Sequence, residues 1–157
     1  GEAEIGARAL GNRSILANPA IKGMKEKINA TIKHREHFRP FCPSVLEEDF
    51  SIYFSGPHSK IPYMNITVDC KEITQLELPE IVHANLTARV QTVSSKYNAL
   101  FHQLLLALKK QTGHGVVLNT SLNVRNQPMA YDVNDTLITF FTSGLDALFV
   151  GNILLEK

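Results

Sequence analysis

Residues 98–123 constrain the fold of this chain more than any other stretch. Asn98 offers an N-cap side chain, Ala99 to Thr112 can run as a helix, and Gly113 suits the left-handed residue just past a helix end. Leu100, Leu104 and Leu108 recur at four-residue spacing with Phe101 and Leu105 beside them, so the leucine stripe is expected in the core. Val116-Val117-Leu118 then reads as a short, fully buried strand. It ends in an amide and hydroxyl run, Asn119-Thr120-Ser121-Leu122-Asn123, and in α/β sheets the carboxyl ends of strands hold ligands. Ser121 and Asn123 stand two apart, so an extended backbone turns both side chains the same way. No histidine or acid lies within local reach of Ser121, which therefore reads as a hydrogen-bonding residue rather than a nucleophile. A turn rich in Asn and Ser is the plainer alternative.

Strands and helices alternate elsewhere too. Asn18-Pro19 reads as a helix start, with Ile21, Met24, Ile28 and Ile32 on one buried face and Lys33 delivered to the C-terminal end. Phe38 to Leu46 is expected to be extended, with Pro40 and Pro43 confining it to a sheet edge or an irregular path. Glu47-Glu48-Asp49 opens a helical turn ending near Phe54, as a complement to its dipole. Tyr63 to Val68 alternates as a strand, Lys71 to Pro79 reads as a polar surface excursion, and Val90 to Val93 as a strand with Arg89 at its start. Asp132 and Asp135 resemble a capping box for a helix to about Ser143. Leu145 to Leu155 reads as a terminal hairpin turning at Gly151-Asn152. With 157 residues, 44% of them hydrophobic, one core and one mixed α/β domain are expected. No apolar run reaches about 18 residues and no signal peptide is present, so no membrane partner and a cytoplasmic location are expected. Cys42 and Cys70 read as reduced, Cys42 as a small core residue, and no cysteine or histidine has metal-ligand spacing.

The basic residues point to chemistry. Lys33, Arg35 and Arg39 fall within seven residues, hemmed by Phe38, Pro40 and Phe41; guanidinium forks and a mobile ammonium in such a setting suit an anionic ligand. A helix end with a basic complement to its dipole is the plainer alternative. All six arginines, Arg8, Arg13, Arg35, Arg39, Arg89 and Arg125, lie in turn-forming stretches or beside strands, the disposition expected for a ligand with several anionic groups. The run Gly6 to Ser14 is neither a dinucleotide fingerprint nor a P-loop, but Arg8, Asn12, Arg13 and Ser14 offer donors and its two glycines allow close approach. A net charge of +1 argues against nucleic acid as the partner. The chain opens on this motif without a methionine and so reads as a piece of a longer protein.

With these blocks assembled, the chain resembles the C-terminal, YrdC-like domain of the NodU/CmcH/TobZ carbamoyltransferases. Four ordered blocks carry the resemblance: Gly6 to Ile15, Lys33 to Phe41, Thr87 to Val93, and Leu118 to Asn123. It implies one YrdC-like domain over residues 1–157, a twisted mixed sheet with flanking helices. It implies ATP and carbamoyl phosphate as ligands and a carbamoyl-adenylate as product. A preceding N-terminal transferase domain, which would hold any iron, then passes the carbamoyl group to a hydroxyl. It further assigns catalytic roles to Lys33, Arg39 and Arg8, and binding roles to Arg35, Arg89, Ser121, Asn123, Asn119, Thr120 and Arg13. Mg2+ would accompany the phosphates, with no metal ligands from the chain. The sequence departs from the family at Gly6-Ala7-Arg8 (usually Gly-Pro-Arg), Asn85-Leu86-Thr87 (Asp-Gly-Thr) and Asn126-Gln127-Pro128 (Gly-Glu-Pro). A nucleic-acid-binding YrdC-like module and a catalytically silent partner-docking domain remain the alternative classes.

Overall fold

The computed structural model describes residues 4 and 6–157. Among these, β1 (Ser14–Ala17), β2 (Cys42–Leu46), β3 (Phe54–Ser55), β4 (Ile66–Cys70), β5 (Thr87–Val93) and β6 (Val116–Ser121) form one sheet in the order β1-β6-β2-β5-β4-β3. Neighbours are antiparallel except β2 and β5, which run parallel. The period of two along each strand divides the apolar residues between two clusters. Val45, Val90, Val116 and Leu118 join the larger one, with Ile28, Ile32, Phe50 and Phe54. Leu46, Val93 and Val117 join a smaller one with Phe101 and Leu105 of the long helix.

Pro43 stands in β2, an interior strand, not at an edge. The parallel ladder to β5 begins only at Ser44, so the missing N–H costs the sheet little. The first helix, α1 (Met24–Ile28), begins five residues later than Pro19 suggests. Asn18 Oδ1 accepts from the Ala20 amide (3.0 Å) in a local turn, and Gly23 has φ 82°. The amides of Gly23 and Lys25 donate to the Glu80 carboxylate (2.9 and 2.8 Å). Ile21 is consequently exposed.

The stretch from Glu47 forms a 3-10 turn leading into α2 (Phe50–Tyr53), but Asp49 does more than face a dipole. It is buried and pairs with Lys109 at 2.7 Å. The polar stretch after Lys71 contains α3 (Glu72–Glu77) and packs inward through Leu78 and Ile81, both fully buried. The long helix, α4 (Ala99–Thr112), has the expected ends: Asn98 Oδ1 accepts from the Phe101 amide (3.0 Å), and Gly113 has φ 86°. Its buried stripe is displaced by one residue. Phe101 and Leu105 are buried, whereas Leu100 is 80% and Leu104 49% exposed. The Phe101 ring lies so close to Gly11 that a Cβ there would meet it at 2.4 Å. Next, α5 (Val133–Phe141) is capped as expected by Asp132 Oδ1, which accepts from the Asp135 amide (2.9 Å). Finally β7 (Ala147–Val150) and β8 (Ile153–Glu156) form a separate antiparallel hairpin whose turn has positive φ at Gly151 (59°), the primed geometry. No helix among the described residues is long and apolar enough to cross a membrane.

Candidate anion-binding site

After α1 the chain widens into a π turn, Asn29–Lys33, and ends at His34 in left-handed geometry (φ 47°). Such widened turns are frequent at functional sites. This one buries Lys33 and sends its Nζ to the end of β6. Nζ lies 2.5 Å from Ser121 O, 2.9 Å from Asn123 O, 2.7 Å from Asn123 Oδ1 and 3.4 Å from Ser121 Oγ. Ser121 Oγ donates to Asn123 Oδ1 (2.7 Å), so the two side chains meet, but through a turn and not an extended backbone: β6 ends at Ser121 and the Asn123 amide donates to Ser121 O (3.0 Å). The basic block and the Ser-x-Asn block thus meet across 88 residues of sequence. Burial, and secondarily the Arg35 guanidinium, lower the Lys33 ammonium from 10.5 to about 7.

A residue that sequence reasoning missed fixes the loop beyond. Asn29 is fully buried; its Nδ2 donates to the carbonyls of His37 (3.2 Å) and Arg39 (3.0 Å), and its Oδ1 accepts from Arg35 Nε (2.7 Å). Arg35 also stacks on the Phe41 ring, 4.7 Å from its centroid. Burial first, then Arg39, lower the Arg35 pKa. The one available signal was an amide on the apolar side of a short helix, next to Ile28.

Two adjoining cavities result. The larger, about 360 Å³, is walled by Lys33, Arg35, Arg39, Ser121 and Asn123, and adds Arg125 and Glu36, which the sequence reading did not assign to the site. Arg125 stands two residues beyond Asn123, a spacing that could have found it. The smaller, about 170 Å³, holds Arg8, Arg35, Arg89, Asn119, Thr120 and Ser121 against Cys42 and Met64. Arg35 and Ser121 belong to both. Arg89 Nε and Nη2 donate to Cys42 Sγ (3.2 and 3.1 Å), so Cys42, although buried, faces this cavity and orients an arginine.

The loop carrying Arg8 is also held by buried amides. Asn119 Nδ2 donates to Ala9 O (3.2 Å) and Ser44 Oγ (2.9 Å), Ser44 Oγ donates to Gln91 Oε1 (2.6 Å), and Gln91 Nε2 donates to Leu10 O (2.9 Å). The Asn119 amide nitrogen therefore pins the Arg8 loop. Arg13 lines neither cavity; its guanidinium donates to the carbonyls of Asn12 and Tyr131. Among the described residues no group of three His, Cys, Asp or Glu side chains gathers, and Glu36 is the one carboxylate along the cavities. That donor set fits a magnesium ion only as one carried on ligand phosphates.

Two of the three departures from the pattern that the resemblance implies have a backbone consequence. Leu86 (φ 60°) and Asn126 (φ 62°) are left-handed, and each stands where the resemblance implies glycine.

The family model described as "Carbamoyltransferase C-terminus" matches residues 1–157. The chain is 45% identical over 159 residues to Nodulation protein NolO of Bradyrhizobium diazoefficiens, with 100% of the chain and 29% of that protein covered. It is 39% identical over 127 residues to Nodulation protein U of Rhizobium tropici, covering 81% of the chain and 22% of the relative. It is 36% identical over 152 residues to the 3'-hydroxymethylcephem-O-carbamoyltransferase of Amycolatopsis lactamdurans, covering 97% and 28%. The chain thus spans under a third of the length of each of these relatives.

Proposed function

The chain belongs to the carbamoyltransferase C-terminus family, and from that premise we propose that it binds ATP and carbamoyl phosphate and forms a carbamoyl-adenylate. Another part of a longer polypeptide would then pass the carbamoyl group to a hydroxyl. The observation that carries this reading is the pair of cationic cavities sharing Arg35 and Ser121. Two phosphorylated substrates need two anion sites close enough for their reacting atoms to meet. The larger cavity suits the triphosphate and the smaller one the compact carbamoyl phosphate.

Atom balance sets the steps. Carbamoyl phosphate loses its phosphate to water, giving carbamate; a carbamate oxygen bonds to the α-phosphorus of ATP, and the bond to pyrophosphate breaks. This brings two anions together and moves negative charge onto a leaving group. Lys33, Arg35 and Arg39 offset that charge, while Arg8 and Arg89 neutralise the smaller substrate. Magnesium on the nucleotide would supply further charge neutralisation. Ser121 and Asn123 act through Lys33, which they hold. None of these steps requires a protein nucleophile.

Exchange of labelled pyrophosphate into ATP, measured with and without carbamoyl phosphate, tests the proposal. Exchange that depends on carbamoyl phosphate is expected, falling tenfold or more in Ser121→Ala and Asn123→Ala while melting stays near the parent's. Exchange indifferent to carbamoyl phosphate would sink the adenylate mechanism.

A further inference from the structure

We propose that the outer face of α5 and the β7–β8 hairpin is the surface on which the preceding portion of the same polypeptide docks. This rests on the reading that the chain works as part of a longer two-part enzyme. Ile138 and Phe141 lie one turn apart on α5, while Phe149 and Leu154 are partners across the hairpin and so share one of its faces, the one opposite Leu148. All four are exposed, Phe141 by 66% and Phe149 by 73%. The opposite side of the same unit is anchored. Leu148 and Phe140 are buried, the Gly144 amide donates to Thr31 O (3.0 Å), and Lys27 pairs with Asp146 (3.0 Å).

A two-stranded hairpin is marginal in water unless something packs on it, and among the described residues no further strand joins this one. Clustered apolar side chains on two adjoining elements mark an interaction surface. The occupant follows from length. More than two thirds of each relative lies outside the region this chain matches, and the matching family is described as a C-terminus. A tethered partner is present at high effective concentration, so a permanently covered apolar face is tolerable. The exposed Leu100 and Leu104 make a natural control, because that pair is confined to one helix, α4, whereas the proposed surface spans a helix and the hairpin beside it.

The test uses the full-length polypeptide with single substitutions Phe149→Cys and Leu100→Cys, and maleimide labelling at each position read by mass spectrometry. Phe149→Cys is expected to label at least tenfold more slowly than Leu100→Cys, at every protein concentration. Equal rates overturn the proposal, and so does slowing that appears only at high concentration, which would identify a second copy as the occupant. The double variant Phe149→Glu/Leu154→Glu should keep carbamoyl-phosphate-dependent pyrophosphate exchange and lose carbamoyl transfer to a hydroxyl at least tenfold; retained transfer also overturns it. If the parent shows no exchange, the adenylate mechanism fails while the labelling contrast still decides the docking surface.

Discussion

Lys33 is held between opposing demands: burial and Arg35 favour its neutral form, whereas an anionic ligand favours the ammonium. Ligand binding should therefore draw a proton onto it. At pH 8, calorimetry of ATP binding in buffers of different ionisation enthalpy should report uptake of close to one proton, and Lys33→Met should report none. Stability of the unliganded protein runs the other way. Between about 7, the folded value, and 10.5, the ordinary one, the unfolded chain holds a proton that the folded chain has lost. Stability from this group accordingly rises with pH across that window, and Lys33→Met should flatten the rise in denaturant midpoints. Asn29 acts one shell further out, by fixing Arg35 and two loop carbonyls. A double-mutant cycle of Asn29→Ala with Arg35→Ala on carbamoyl phosphate affinity should give a coupling of about 1 kcal/mol or more, because the second change removes what the first loosens. Strict additivity would make Asn29 a fold residue only.

Among the elements, α4 has the ends that its sequence demands but not the expected face. The packing predicts that Phe101→Ala costs about 3 to 5 kcal/mol and Leu105→Ala about 2 to 5 kcal/mol. Leu100→Ala should change stability by no more than about 0.5 kcal/mol. Denaturant unfolding would rank them, and a larger loss at Leu100 would return the core to the leucine stripe. The turn before β5 carries its own cost. Leu86 is exposed and left-handed, so Leu86→Gly should relieve strain of about 1 to 2 kcal/mol, partly offset by about 0.5 to 1 kcal/mol of glycine's unfolded-state entropy. A modest rise in Tm is the expected result, and a fall would mean that the Leu86 side chain contributes packing.

At the scale of the whole molecule, buried amides pin two cationic loops over the carboxyl end of β6. Asn29 holds the Arg35 to Arg39 loop, while Asn119 and Gln91 hold the loop with Arg8. ATP affinity should fall as salt rises, and Arg39→Ala, at an exposed position, should weaken binding most at low salt. Parent-like binding of Arg39→Ala at both extremes would remove Arg39 from the site. Much of this was legible in the sequence because it is local. The caps at Asn98, Gly113 and Asp132, the two-residue hairpin turn and the apolar strand that ends at Ser121 depend on neighbours a few residues away. What stayed hidden depends on distant partners. Glu80 sets where α1 begins, the Phe101 ring against Gly11 shows which face of α4 is inward, and the late start of the β5 ladder lets Pro43 sit inside a sheet. The sequence by itself determined which residue types could bind an anion, since charge and hydrogen-bonding capacity belong to the side chain. Only the tertiary structure decided that Lys33 meets Ser121 and Asn123, that Arg125 and Glu36 join the larger cavity and that Arg13 lies outside both, because a position in space is set by packing between segments that the chain order leaves far apart.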